Sequence, residues 1–176
     1  MNAIVANQEN PKDYGKMFHS ISLCLSKGLG APVGSVLLGD AAFIKQARRV
    51  RKVMGGGMRQ AGYLAAAGLF AMEHNINRLA EDHAHAKLLA SALVSCNWVG
   101  EIFPVETNIV IFEVLGNGDS AAGISSSLKT APEIIAALLS QNIRVSAMSP
   151  THIRMVTHLG VTPEMIHRTV EVLKGL

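Results

Sequence analysis

Aromatic side chains are scarce: phenylalanine, tyrosine and tryptophan make up 5% of the 176 residues. None of them interleaves the basic stretch at residues 45–52, which therefore offers no base-stacking surface. Charge is thin as well, at 16%, with a formal net charge of +3 that gives no argument for a nucleic-acid partner. The densest basic stretch is Lys45 to Lys52, with Arg48, Arg49 and Arg51 between. It reads either as a solvated helix face or as a contact for an anionic partner. Two cysteines, Cys24 and Cys96, make no disulfide framework. Reduced thiols fit a cytoplasmic protein. No Cys/His cluster has metal-ligand spacing, and His83 and His85 lie too close in sequence to share a helix face, so no metal is expected. No apolar run approaches the ~20 residues that span a bilayer. The first residues lack the basic-then-apolar order of a signal peptide.

Hydrophobic residues, by contrast, reach 49%. That is enough for one sizeable core and a second small lobe. Residues 2–15 are polar and patternless. Then Ile21-Ser22-Leu23-Cys24-Leu25 reads as a buried strand, and Ser35-Val36-Leu37-Leu38-Gly39 as a second. Asp40 caps a helix to about Val53, with Phe43, Ile44, Ala47 and Val50 on one face. After Gly55-Gly56-Gly57, an alanine-rich helix runs from Met58 to about His74. It is apolar nearly all round, the pattern of a helix covered on several sides. A long helix follows over about residues 76–94, with Leu79, His83, Ala86, Ala90 and Leu93 inward.

The second half reads strand, helix, strand, strand, helix. In the strand at 105–114, Thr107, Ile109, Ile111 and Glu113 alternate against Val110, Phe112 and Val114. A glycine- and serine-rich loop covers 116–127, a helix 132–141, and strands 143–147 and 153–157. Thr162 caps the last helix, with Pro163 at its first position. This pattern predicts a small α+β lobe behind the long helix.

The sharpest candidate for chemistry is Lys27, in Ser26-Lys27-Gly28-Leu29-Gly30-Ala31-Pro32 at the end of the first strand. Burial there lowers a lysine's pKa and makes its amine a nucleophile toward a carbonyl. The glycines leave room for a flat cofactor. The plain alternative is a strand-end lysine reaching solvent over a turn. Arg59 opens a helix after three glycines, and Lys52 lies just before them; together they are an anion site or a solvated glycine joint. Arg154 sits in a short apolar strand on the face opposite Ile153 and Met155, where an arginine wants a carboxylate, from the protein or from a substrate. His158 closes that strand and stands near the same cleft.

These segments are familiar together. Residues 22–35 (SLCLSKGLGAPVGS) closely resemble the cofactor-lysine segment of the pyridoxal-phosphate-dependent threonine aldolases, and residues 51–62 (RKVMGGGMRQAG) resemble their next signature. Glu81-Asp82-His83, Thr107-Asn108-Ile109 and Arg154-Met155-Val156-Thr157-His158 match in order. The resemblance covers residues 14–176. It implies an α/β, aspartate-aminotransferase-like (fold type I) pyridoxal-phosphate enzyme. Residues 1–15 would be an irregular amino terminus, 16–75 part of the large cofactor domain, 76–97 a linking helix and 98–176 the small α+β domain. It implies further that Lys27 binds pyridoxal phosphate covalently, that Lys52 and Arg59 lie near the cofactor at a subunit boundary, and that Arg154 binds the α-carboxylate of an amino acid substrate. The activity implied is cleavage of L-threonine or L-allo-threonine to glycine and acetaldehyde, in a homo-oligomer.

Only the carboxy-terminal half of the family pattern is matched. The other half carries the phosphate loop, the ring-stacking aromatic, the acid at the pyridine nitrogen and a second carboxylate-binding arginine. The expectation is weak or absent activity for this chain alone, recovered with a complementary amino-terminal chain. A non-catalytic oligomerisation fragment is the alternative. His19 stands where the family pattern calls for an acid.

Overall fold

The computed structural model describes residues 1–115 and 130–176, so the glycine- and serine-rich loop expected over 116–127 lies outside the described residues. The chain divides into two compact units, Met1–Ala80 and Glu81–Leu176.

The first unit begins with two short helices, α1 (Asn2–Ala6) and α2 (Pro11–Met17), where the sequence suggested irregular chain. The signal for α2 was present: the Asn10 side chain accepts from the Lys12 N–H, and Pro11 occupies the first helical position. Strands β1 (Ser20–Cys24) and β2 (Ser35–Gly39) pair antiparallel, with Ser20 opposite Gly39 and Cys24 opposite Ser35. Asp40 then caps α3 (Ala41–Val53) by accepting from the Phe43 N–H at 2.7 Å. The helix ends in a paired-bond glycine stop. Gly55 adopts φ 81°, its N–H donates to the Lys52 carbonyl, and the Gly56 N–H donates to that of Arg51 at 2.8 Å. The next helix, α4, covers Gly62–His74. Leu25, Leu29, Ala31, Ala71 and Leu79 form the unit's core.

Two expectations fail here for one reason. β1 was expected to be buried; it is at most half-buried, and β2 is exposed along its whole length. The apolar α4 was expected to be covered on several sides. Only Gly68 and Ala71 are buried, whereas Tyr63 is 90%, Leu69 61% and Phe70 58% exposed. A two-stranded hairpin has neither the neighbouring strands nor the second layer that bury such residues. The late start of α4 is local in origin: Gln60 takes φ 51°, outside helical geometry.

The long helix α5 (Leu79–Leu93) continues into the second unit. There β3 (Val99–Ile102), β4 (Ile109–Val114), β5 (Ser146–Ala147) and β6 (His152–Val156) form an antiparallel sheet in the order β3-β4-β6-β5. Helices α6 (Ala131–Ser140) and α7 (Pro163–Gly175) complete the unit. Val110, Phe112, Val114, Ile153 and Met155 form one core with Ala86, Leu89 and Leu93 of α5, Ile134 and Leu138 of α6, and Ile166 and Leu173 of α7. The other sheet face carries Ile109, Ile111, His152 and Arg154, half-buried. The α+β reading and the alternation in β4 match this arrangement. β3 was not foreseen, because Gly100 and an irregular register interrupt its pattern. The strand expected at 143–147 narrows to β5.

Candidate functional site

Lys27 follows β1 by three residues, and its side chain is exposed. The expectation of a buried lysine is therefore corrected; within this unit nothing is layered over the hairpin end. Its backbone, however, is held firmly. The Gly30 N–H donates to the Lys27 carbonyl at 2.8 Å, and the Ala31 N–H to the Leu25 carbonyl at 3.0 Å. Leu25, Leu29 and Ala31 anchor the turn in the core, and the Asn75 side-chain amide donates to the Leu29 carbonyl at 2.7 Å. Gly30 needs its φ of 73° to close this turn. A Cβ on Gly28 would come within 3.1 Å of the Asn2 side chain and 3.2 Å of that of Leu79, so a side chain here would need both to give by a few tenths of an ångström. Next to the lysine, the Cys24 thiol lies 3.7 Å from the Ser26 hydroxyl. That hydrogen bond, then the Ser26 backbone, and to a smaller degree the Lys27 charge pull the thiol's pKa down.

Lys52 lies in the last turn of α3, and its aliphatic stem lies along Gly57, where a Cβ would fall 2.5 Å from Lys52 Cδ. Arg51 lies along Gly56 in the same way. Arg59 was expected at a helix start. It sits instead in the exposed bend three residues before α4, so no helix-end donors accompany it. Lys27, Lys52 and Arg59 all belong to the first unit.

Arg154 belongs to the second unit. It stands mid-strand in β6, opposite Ile111 of β4 and Ser146 of β5. It is half-buried and, among the described residues, makes no ion pair. The strand end beyond it is locked by a buried polar knot. The Asn108 side-chain amide donates to the Thr157 carbonyl at 2.8 Å, and the Thr157 N–H donates back to the Asn108 carbonyl at 3.0 Å. The Thr157 hydroxyl donates to the Asp82 carbonyl at 2.6 Å. In the sequence Asn108 and Thr157 stand out only within the matched motifs; the signal for this role is a polar pair beside two apolar strands. His83, the next residue of α5, is buried, and desolvation lowers its pKa against the opposing pull of Asp82. His158 does not join Arg154: its Nδ1 accepts from the Gly160 N–H at 3.1 Å.

In its fold the chain matches part of the aspartate-aminotransferase-like, type I pyridoxal-phosphate enzymes. The solved threonine aldolase of Leishmania major overlays 99% of the chain on 48% of its own length, with a TM-score of 0.70 at 17% identity. The beta-eliminating lyase family profile matches residues 1–116, and the chain belongs to that family. It is 39% identical over 165 residues to the low specificity L-threonine aldolase of Escherichia coli K12, covering 94% of this chain and 45% of that one. It is 38% identical over 156 residues to low-specificity L-threonine aldolase 1 of Arabidopsis thaliana, covering 88% of this chain and 41% of that one. The chain thus spans less than half the length of these relatives. Enzymes of the family and its type I neighbours depend on pyridoxal phosphate.

An aldehyde cofactor of that kind needs a reachable primary amine at a fixed backbone position. The residues present fit it: the Lys27 side chain is exposed while its turn is hydrogen-bonded and anchored.

Proposed function

We propose that this chain supplies the lysine-bearing half of a pyridoxal-phosphate-dependent aldolase that cleaves L-threonine or L-allo-threonine to glycine and acetaldehyde. The observation that supports this most strongly is Lys27, an exposed amine on a turn fixed by the Gly30 and Ala31 hydrogen bonds. In this reading Lys27 holds the cofactor covalently, and Lys52 and Arg59 stand near it. The chemistry supplied by bound pyridoxal phosphate is that of an electron sink for the Cα–Cβ bond that breaks. Arg154 offers its planar fork to the substrate α-carboxylate, which fixes the amino acid in one orientation. The buried knot of Asn108, Thr157 and the Asp82 carbonyl holds the β6 end that positions Arg154.

The chain would work in the cytoplasm, within a homo-oligomer or with a complementary amino-terminal chain, and would have little activity by itself. The exposed apolar side chains of α4 and β2 favour such a partner over an isolated monomer. The test is acetaldehyde release from L-threonine with pyridoxal phosphate present. It is run on the chain alone and on the chain refolded with the amino-terminal half of the E. coli relative. Weak release alone, clear release in the mixture and loss of both in Lys27→Ala are expected. No release in any mixture would overturn the aldolase reading; full release from the chain alone would overturn the need for a partner.

A further inference from the structure

A cavity of about 470 Å³ opens in the second unit between the α6–β5 connection, the end of β6 and the start of α7. Its size lies within the ~300–1,000 Å³ typical of small-molecule sites. Leu89, Met155, Val161 and Ile166 give it an apolar wall, and the first two and Ile166 are buried. It lies on the helix side of the sheet. Met155 faces that side, whereas Arg154, one residue earlier, alternates to the other face. The cavity is thus separate from the position assigned to the substrate carboxylate.

Every charged group lining it has the same sign. Arg144 and Arg168 stand on it and no aspartate or glutamate does. Among the described residues neither arginine makes an ion pair. His158 also lines it, and its Nδ1 is occupied as an acceptor from the Gly160 N–H. In the neutral ring the proton then resides on Nε2, which leaves a donor there. An apolar wall whose only charged groups are cations, with the Gln141 and Asn142 amides and the Thr157 and Thr169 hydroxyls as neutral polar groups, complements an apolar chain ending in an anion.

We propose that this cavity binds a small apolar carboxylate, of the class of medium-chain alkanoic or aryl-alkanoic acids. The apolar portion packs on Leu89, Met155 and Ile166, and the carboxylate meets Arg144 and Arg168. The proposal does not rest on the aldolase reading, and its test uses neither pyridoxal phosphate nor threonine. Calorimetric titration of the whole chain with octanoate, octanol and octylammonium reads it directly. Octanoate is expected to bind saturably at one site, octanol about tenfold more weakly, and octylammonium not at all. Arg144→Ala and Arg168→Ala each weaken octanoate about tenfold, and Met165→Trp, at the exposed mouth, blocks it. Arg49→Ala, in the first unit, leaves it unchanged. Far-ultraviolet circular dichroism of each variant checks that it is folded. Equal affinity for octanoate and octanol, or octanoate binding that folded Arg144→Ala and Arg168→Ala variants leave intact, would overturn the proposal.

Discussion

At the scale of single residues, His83 makes the clearest pH prediction. Burial holds its pKa below the ordinary histidine value, despite the opposing pull of Asp82. The unfolded chain therefore binds the proton more readily than the folded one over the interval between the two values. Stability is complete above the unfolded value near ~6.5 and falls as the pH drops through it toward the folded value. Urea unfolding of the wild-type chain should weaken between pH 8 and pH 5 by more than that of His83→Gln; equal losses would contradict the assignment. Arg154 carries a different prediction. In the reassembled enzyme Arg154→Lys should raise KM for L-threonine at least tenfold, because an ammonium cannot make the two parallel bonds of the guanidinium. An unchanged KM would remove it from the substrate site.

At the scale of elements, the knot that closes β6 is the sensitive point. Thr157→Val keeps the shape of the side chain but leaves the Asp82 carbonyl without its 2.6 Å donor. A loss of about 1–3 kcal/mol in urea unfolding is expected. Thr162→Ala, which removes the cap received by the Met165 N–H, should cost about 1 kcal/mol. A smaller effect for Thr157 than for Thr162 would contradict the knot. These two cases also show what the sequence made legible. Caps at Asp40 and Thr162, the alternation of β4 and the strands β1 and β2 are local patterns; the caps and β2 appeared where expected, β1 one residue earlier, and β4 begins at Ile109 rather than at 105. The Asn108–Thr157–Asp82 knot joins residues far apart in the chain, so no local pattern announced it. Lys27 lies where expected, three residues past a strand on a glycine turn, and of the two readings of its side chain the structure shows the solvent-reaching one rather than the buried one. Burial depends on what lies over the hairpin, which the residues around Lys27 do not encode. Arg59 was misplaced because the positive φ of Gln60 delays the helix that its flanking glycines seemed to start.

At the scale of the whole molecule, the apolar residues of the first unit dominate. Tyr63, Leu69 and Phe70 project from α4 with more than half their surface exposed, and Val36, Leu37 and Leu38 are exposed on β2. Surfaces of this kind associate. The chain alone should show concentration-dependent self-association in sedimentation velocity, and Leu69→Lys with Phe70→Lys should reduce it while leaving the circular dichroism unchanged. A wild-type chain that stays monomeric at high concentration would contradict this view of its surface. The proposed activity depends on one amine, that of Lys27. The chain, reassembled with the amino-terminal half of its E. coli relative, is incubated with pyridoxal phosphate, reduced with borohydride and digested for peptide mass mapping. A single pyridoxyl label on Lys27, absent from Lys27→Ala, is expected. A label on Lys52 or another lysine, or no label on a folded protein, would contradict it.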